Sequence, residues 1–425
     1  MTRSSLTAVA FGVGAFVAAV VACRSNDDPG FPSNGTSSGG GTSSGSSSST
    51  SSGGIDAAIP DGPVDCGPAP GAAAPFTKQA LLGAAADCAA WHACSFQNAA
   101  TALRTSVRAH AAAPTDETKT ATQAAWKTAM NEWSIIEGFQ FGPIAPIVTD
   151  KYHGRSLRSF VHPWPDHNRC QVENQVLNRT YESGWQAVLP NSRGLFGLEY
   201  LLFYPGVDTA CLPASATGSA WATTPAEQLT KSKNDYAVAL ADNLVALSLE
   251  IRNVWAPEGE DFKTKLLSYE KYGSEQETLN VLAWALFYAE SEIKDDKLAG
   301  RAGVSASPPI SETPFAGVEV ENMRTNLRAF RDLFQGCSAD GTGVGFDDWL
   351  VAVGQATLAQ NILAALADAQ SAADAFPPFA EATQAQFLEM YNAIKPLSDL
   401  LKTSMFGSAS PLNLKLPATA ASDTD

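Results

Sequence analysis

Two glutamates sit where apolar side chains are expected. The stretch Arg193-Gly-Leu-Phe196-Gly-Leu-Glu199-Tyr-Leu-Leu-Phe203 is apolar enough to form a buried helix. On a 3.6-residue period Glu199 shares a face with Leu195, Phe196, Leu202 and Phe203, so burying that face buries the carboxylate too. Such a group must be protonated, paired with a cation, hydrogen-bonded or bound to a metal. A second case is Glu137, which closes the stripe Trp126, Met130, Trp133, Glu137 in a helix predicted over residues 117–139. Inward carboxylates on different helices are what helical bundles use to hold metal ions. The competing use is a structural ion pair, and Arg155, Arg158, Arg169 and Arg193 all lie between the two helices in sequence.

The irregular segment between Pro143 and Arg193 carries three of the five histidines, His153, His162 and His167. An imidazole joining the carboxylates comes from His162 or His167; the ordinary use of a loop histidine is surface hydrogen bonding. The candidate cleft set is therefore Glu137, Glu199, His162, Trp164, Asp166 and Arg193. Within it Glu137, Glu199 and His162 are the candidate ligands for a divalent metal, Fe or Zn. No residue is assigned a catalytic role.

These residues need elements to hold them. Beyond Pro75 the pattern is helical: 77–113 is Ala-rich with periodic Leu and aromatic positions and stops at Pro114, and Thr115 and Asp116 offer caps for the next helix. After a Pro/Ser/Thr/Gly-rich connection to about Pro225, helices are predicted over 226–254, 280–297, 318–334, 349–375 and 379–406. The acids Glu290, Glu292, Asp295 and Asp296 read as a solvated helix end. The fold class is all-α, two packed four-helix-type bundles at about 76–215 and 222–406. The tail 407–425 reads as disordered.

The amino terminus has a basic start at Arg3, an apolar run from Leu6 to Ala22, and Val20-Val21-Ala22 ahead of Cys23. This is the pattern of a lipoprotein signal over 1–22, with cleavage before a lipidated Cys23; an uncleaved anchor helix is the alternative. Arg24 in the second mature position favours the outer membrane, on its periplasmic or surface face. Residues 23–75 form a flexible Ser/Gly/Pro tether, which over about 45 residues reaches roughly 35–40 Å. Its Gly41-Thr-Ser43-Ser-Gly45 matches a serine-hydrolase elbow by letter, but no strand or helix frames it.

A net charge of −16, from 28 Lys plus Arg against 44 Asp plus Glu, excludes nucleic acid as a natural partner. With Cys23 lipidated, Cys66, Cys88, Cys94, Cys170, Cys211 and Cys337 remain, an even number for an exported protein. Cys170 and Cys211 bracket the Glu199 helix and are the preferred pair. The other pairings stay open.

The Gly-x-x-x-x-Glu of Gly194–Glu199, followed by Tyr-Leu-Leu-Phe, resembles the imelysin-like family, whose signature is GxHxxE at the head of such a helix. So do Glu137-Gly-Phe-Gln-Phe-Gly-Pro143, the Trp164-Pro165 pair and Lys294-Asp-Asp-Lys-Leu298. Phe196 stands at the histidine position, as in a sub-branch of the family lacking that residue. The resemblance spans 76–405 and implies two helical bundles with a functional cleft between them. It also implies an envelope protein tied to iron or metal uptake, binding a metal or small ligand and working with envelope uptake components. Alternatives are a metallopeptidase, which needs a metal with an open position and a base, and a purely structural surface lipoprotein.

Overall fold

The computed structural model describes residues 62–338 and 341–421. The signal, Cys23 and the Ser/Gly-rich part of the tether lie outside the described residues.

The first bundle is built from α1 (Lys78–Ala112), α2 (Asp116–Glu137), α5 (Gly194–Phe203) and α7 (Ala226–Trp255). Thr77 caps α1 by accepting from the Ala80 N–H, and Thr115 with Thr118 forms a reciprocal cap on α2. Helix α1 lies against both α2 and α7, and α5 packs on α7 and α2. Placing α7 here moves the bundle boundary, since a helix expected to open the second bundle belongs to the first. Its stripe of Leu240, Leu244, Val245 and Ile251 is buried. Shorter helices α3 (Leu157–Val161), α4 (Arg169–Asn178) and α6 (Ala216–Thr223) surround α5.

After α8 (Phe262–Leu267) and α9 (Glu275–Trp284) comes the second bundle. It contains a π-helical segment, Ala289–Ala299, that runs into α10 (Gly300–Ala302), then α11 (Glu319–Phe334), α12 (Phe346–Ala352), α13 (Ala356–Ala375) and α14 (Gln384–Leu400). The single helix expected over 349–375 is interrupted at Gly354, whose φ of +80° belongs to the left-handed region. The bundles meet where α2 lies along α11. Asn326 Nδ2 donates to the Ser134 carbonyl at 2.6 Å, and Thr325 Oγ1 to Asn131 Oδ1 at 2.7 Å.

Three expectations are corrected. Two of the four acids of the π segment are not solvated: Glu290 is buried between Ser398 Oγ at 2.7 Å and Lys402 Nζ at 2.8 Å, and Glu292 meets Arg158 at 3.1 Å, whereas Asp296 is exposed as expected. The chain beyond Gly407 is structured through residue 421; Leu412 and Leu414 are buried, and Trp284 Nε1 donates to the Lys415 carbonyl at 2.7 Å. Residues 62–75, read as tether, lie on α1, where Val64 exchanges two hydrogen bonds with Asn98 and Cys66 is bonded to Cys94. The other disulfides are Cys88–Cys337 and Cys170–Cys211.

Candidate functional site

Glu137 ends α2 at the junction of the bundles. Its Oε1 accepts from Trp133 Nε1 at 2.7 Å and lies 3.4 Å from His162 Nδ1, while Oε2 accepts from Tyr288 Oη at 3.1 Å. Arg158 Nε is 3.8 Å away. Burial alone would raise this carboxyl, but the hydrogen bond and charge of His162 and the charges of Arg158 and Lys297 outweigh it and hold it at about 2. Glu137 is thus ionised at every physiological pH. Burial also drives the Tyr288 hydroxyl well above its ordinary value, with the Glu137 charge adding to it.

His162 follows α3, whose amide ladder ends at the His162 N–H. A third acid joins it from a different part of the chain: Glu312, on the loop leading into α11. Glu137, His162 and Glu312 each bring one donor atom within 4.8 Å of the others. Their exposures are 1, 1 and 2 %. Lys297 Nζ pairs with Glu312 Oε2 at 2.9 Å, donates to Asn326 Oδ1 at 2.7 Å and lies over the Trp164 ring at 5.5 Å. Four buried polar atoms of the cluster lack a hydrogen bond among the described residues: Glu312 Oε2 and Arg158 Nε have ion pairs, with Lys297 and Glu137, and His162 Nε2 and Glu312 Oε1 remain over. An imidazole oriented by a carboxylate through one nitrogen, with the other free, is the usual preparation of a metal-binding histidine.

Glu199 is not part of this cluster. Its Oε1 accepts from two backbone amides, Phe315 at 2.7 Å and Ala316 at 2.8 Å, and its Oε2 is buried without a partner. Burial raises its carboxyl to about 8; the two amides pull the other way, and the charges of Glu319 and Glu312 push it further up. The group is therefore mostly neutral at pH 7. Gly194, which starts this helix, has φ +67°, and a Cβ there would lie 2.1 Å from the Val161 carbonyl oxygen. Only glycine lets α5 approach α3 this closely.

The imelysin family profile matches residues 89–402. The chain belongs to the imelysin family. Two solved structures share the fold. An imelysin-like protein from Psychrobacter arcticum 273-4 is 16 % identical, with TM-score 0.56, covering 78 % of this chain and 96 % of that one. An iron-regulated protein A precursor from Parabacteroides distasonis ATCC 8503 is 15 % identical, with TM-score 0.58 and the same coverage. No curated protein matches the chain.

In this imelysin the predicted site residues divide. Glu137 and His162 are together, and Trp164 adjoins them, its Nε1 donating to the Ile310 carbonyl at 3.1 Å. Asp166 is exposed. Arg193 is buried elsewhere, over the Phe160 ring at 4.4 Å, and donates to the Trp185 carbonyl; burial lowers its pKa. Of the four arginines considered, Arg158 alone reaches a predicted glutamate. Arg155 pairs with Glu260 and Arg169 with Glu173 and Asp208. His153 lies 3.4 Å from the Glu270 carbonyl oxygen, apart from the cluster. Phe196, at the motif's histidine position, stacks on His167 with ring centroids 4.1 Å apart. Sequence reasoning missed Glu312, Lys297 and Tyr288 as site residues. A second grouping, Cys88, His92 and Cys337, is no metal centre, because its two sulfurs are bonded to each other.

Proposed function

We propose that this member of the imelysin family is a metal-binding protein of the cell envelope, holding one divalent cation, Fe or Zn, at the Glu137–His162–Glu312 cluster, with His162 Nε2 and Glu312 Oε1 as ligands and Glu137 behind the imidazole at Nδ1. The observation behind it is the pair of leftover donors, His162 Nε2 and Glu312 Oε1, buried in a cluster whose other polar atoms are mostly satisfied. The donor types fit: an imidazole nitrogen and a carboxylate oxygen suit a borderline or hard divalent ion, with a second carboxylate, Glu137, fixing the imidazole. When bound, the metal would act as a held cargo or a structural charge. Glu137 orients His162 and keeps its own negative charge, and Lys297 neutralises Glu312 and competes with an incoming cation. The name of the Parabacteroides neighbour, an iron-regulated protein, agrees with an iron-linked role.

Peptidase chemistry is the weaker reading, because a cluster this deeply buried gives a polypeptide no approach. The structural reading has a specific observation in its favour, since Lys297 and Arg158 already balance the two acids. The test is elemental analysis of the chain purified without chelators, followed by titration with Fe²⁺ and Zn²⁺. One metal per chain, lost in His162→Ala and Glu312→Gln, is the expected result. A wild-type chain with no metal and no affinity would leave the cluster as a structural ion-pair network.

Attachment to the outer membrane through lipid on Cys23 belongs to the same proposal. Among the described residues no helix is long and apolar enough to cross a membrane. The lipoprotein signal and the arrangement of all six other cysteines in disulfides support an oxidising, envelope setting.

A further inference from the structure

We infer that Glu199 and Phe196, which occupy the motif positions expected to ligate a metal, instead form a clamp on the loop 311–317 and thereby position Glu312. The inference rests on the proposed metal site for its functional meaning, but its geometry stands apart from it. Helix α5 grips the loop at both ends. At the far end Glu199 takes the amides of Phe315 and Ala316 on one oxygen. At the near end Phe196 stacks on His167, and His167 Nε2 lies 2.9 Å from the Ser311 carbonyl oxygen, so that nitrogen carries the proton and donates. The Phe315 ring then packs against Phe196, Tyr200 and Tyr204, three residues of α5 and its end.

The loop is also tied within itself and to the start of α11. Ser311 Oγ donates to Glu319, the Gly317 N–H returns to the Thr313 carbonyl at 2.9 Å, and the Val318 N–H donates to Thr313 Oγ1 at 3.1 Å. Glu312 lies between the two gripped ends. It is the one member of the Glu137–His162–Glu312 set carried by a loop of its own, without a helix beneath it, so its position depends on what holds that loop. A backbone amide needs an acceptor oxygen and does not require a charge. That predicts a simple distinction: glutamine can replace Glu199 in a clamp and cannot replace it in a metal site.

The experiment compares Glu199→Gln and Glu199→Ala in the full chain, with two readouts. The first is hydrogen exchange of the Phe315 and Ala316 amides, which involves no metal; the second is Zn²⁺ affinity by titration. In Glu199→Gln both stay within about two-fold of wild type. In Glu199→Ala the two amides lose their acceptor, and their exchange rises about 10- to 30-fold, as expected for hydrogen bonds of this kind. Zn²⁺ affinity falls by at least about ten-fold, the lower end of what losing a group that orients a metal ligand costs. Where Glu199→Ala does not fold, Glu199→Asp, which retracts the carboxylate by one methylene, serves with the same expectation. Glu199→Gln losing Zn²⁺ as completely as His162→Ala would make Glu199 a ligand and overturn the clamp. So would unchanged exchange at Phe315 and Ala316 in the alanine or aspartate variant. Absence of Zn²⁺ binding in the wild type refutes the metal site alone, and the exchange readout then still decides the clamp.

Discussion

Replacing Glu199 by glutamine isolates the energetic cost of a buried acid, and its direction follows from linkage. The carboxyl titrates at about 8 in the folded chain against 4.5 when exposed. Between those values the unfolded chain has lost the proton and the folded chain retains it, so stability falls as pH rises from 4.5 towards 8 and levels off above. At about 1.4 kcal/mol per pH unit the whole interval is worth about 5 kcal/mol. Glutamine keeps the oxygen that accepts from Phe315 and Ala316 and has no proton to lose, so its variant lacks this slope. The assay is urea unfolding of both chains, disulfides intact, from pH 5 to 9. Other groups raised by burial, such as Asp347 at about 6, contribute equally to the two chains and cancel in the difference. The expected result is near-equal stability at pH 5 and a variant several kcal/mol more stable at pH 8.5. A difference that stays flat within about 1 kcal/mol across the range refutes the reasoning that Glu199 is held neutral.

Glu137 has the opposite sign. Its carboxyl is held at about 2, so its contribution is fully present above 4.5 and is lost as pH falls through about 2. Glu137→Gln is expected to cost about 3 kcal/mol at pH 7, the size of its displacement from 4.5 to about 2 at about 1.4 kcal/mol per pH unit; Arg158 keeps its closer partner Glu292, and urea midpoints check it. Lipid attachment is tested by labelling cells with radioactive palmitate: label on the wild-type chain and none on Cys23→Ser is expected, whereas equal labelling removes Cys23 as the anchor.

The helices were legible because their apolar residues keep a 3.6-residue period and Pro114, Thr115 and Pro225 punctuate them. Their grouping was not. The apolar stripe of α7 says that the helix is buried and is silent about which bundle buries it. The site was half legible for a similar reason. That Glu137 and Glu199 are buried follows from their positions on apolar stripes, and Arg158 was among the cations considered. Glu199's partners are backbone amides 116 and 117 residues away, and backbone groups have no side-chain signature to read. Glu312 lies in a segment broken by Pro308, Pro309 and Pro314, which reads as an exposed turn. Its burial is imposed by α5 from across the fold. Lys297 was hidden in another way: Glu290, Lys294 and Lys297 share one face at spacings of four and three, and an all-charged face reads as water-facing, whereas the fold buries all three and pairs Glu290 with Ser398 and Lys402 and Lys297 with Glu312.

The staple between Cys66 and Cys94 also fixes how the domain bears load. Cys94 lies well inside α1, more than four turns beyond its first residue. Tension on the chain ahead of residue 62 therefore enters the helix through that sulfur bridge and bypasses Thr77 at the helix end. Pulling at a helix end unzips hydrogen bonds one after another, whereas pulling at an interior point loads the packed faces against α2 and α7 together. While the bridge is intact, a drag on the N-terminal segment meets the whole first bundle; once it is reduced, the same drag falls on the first turn of α1.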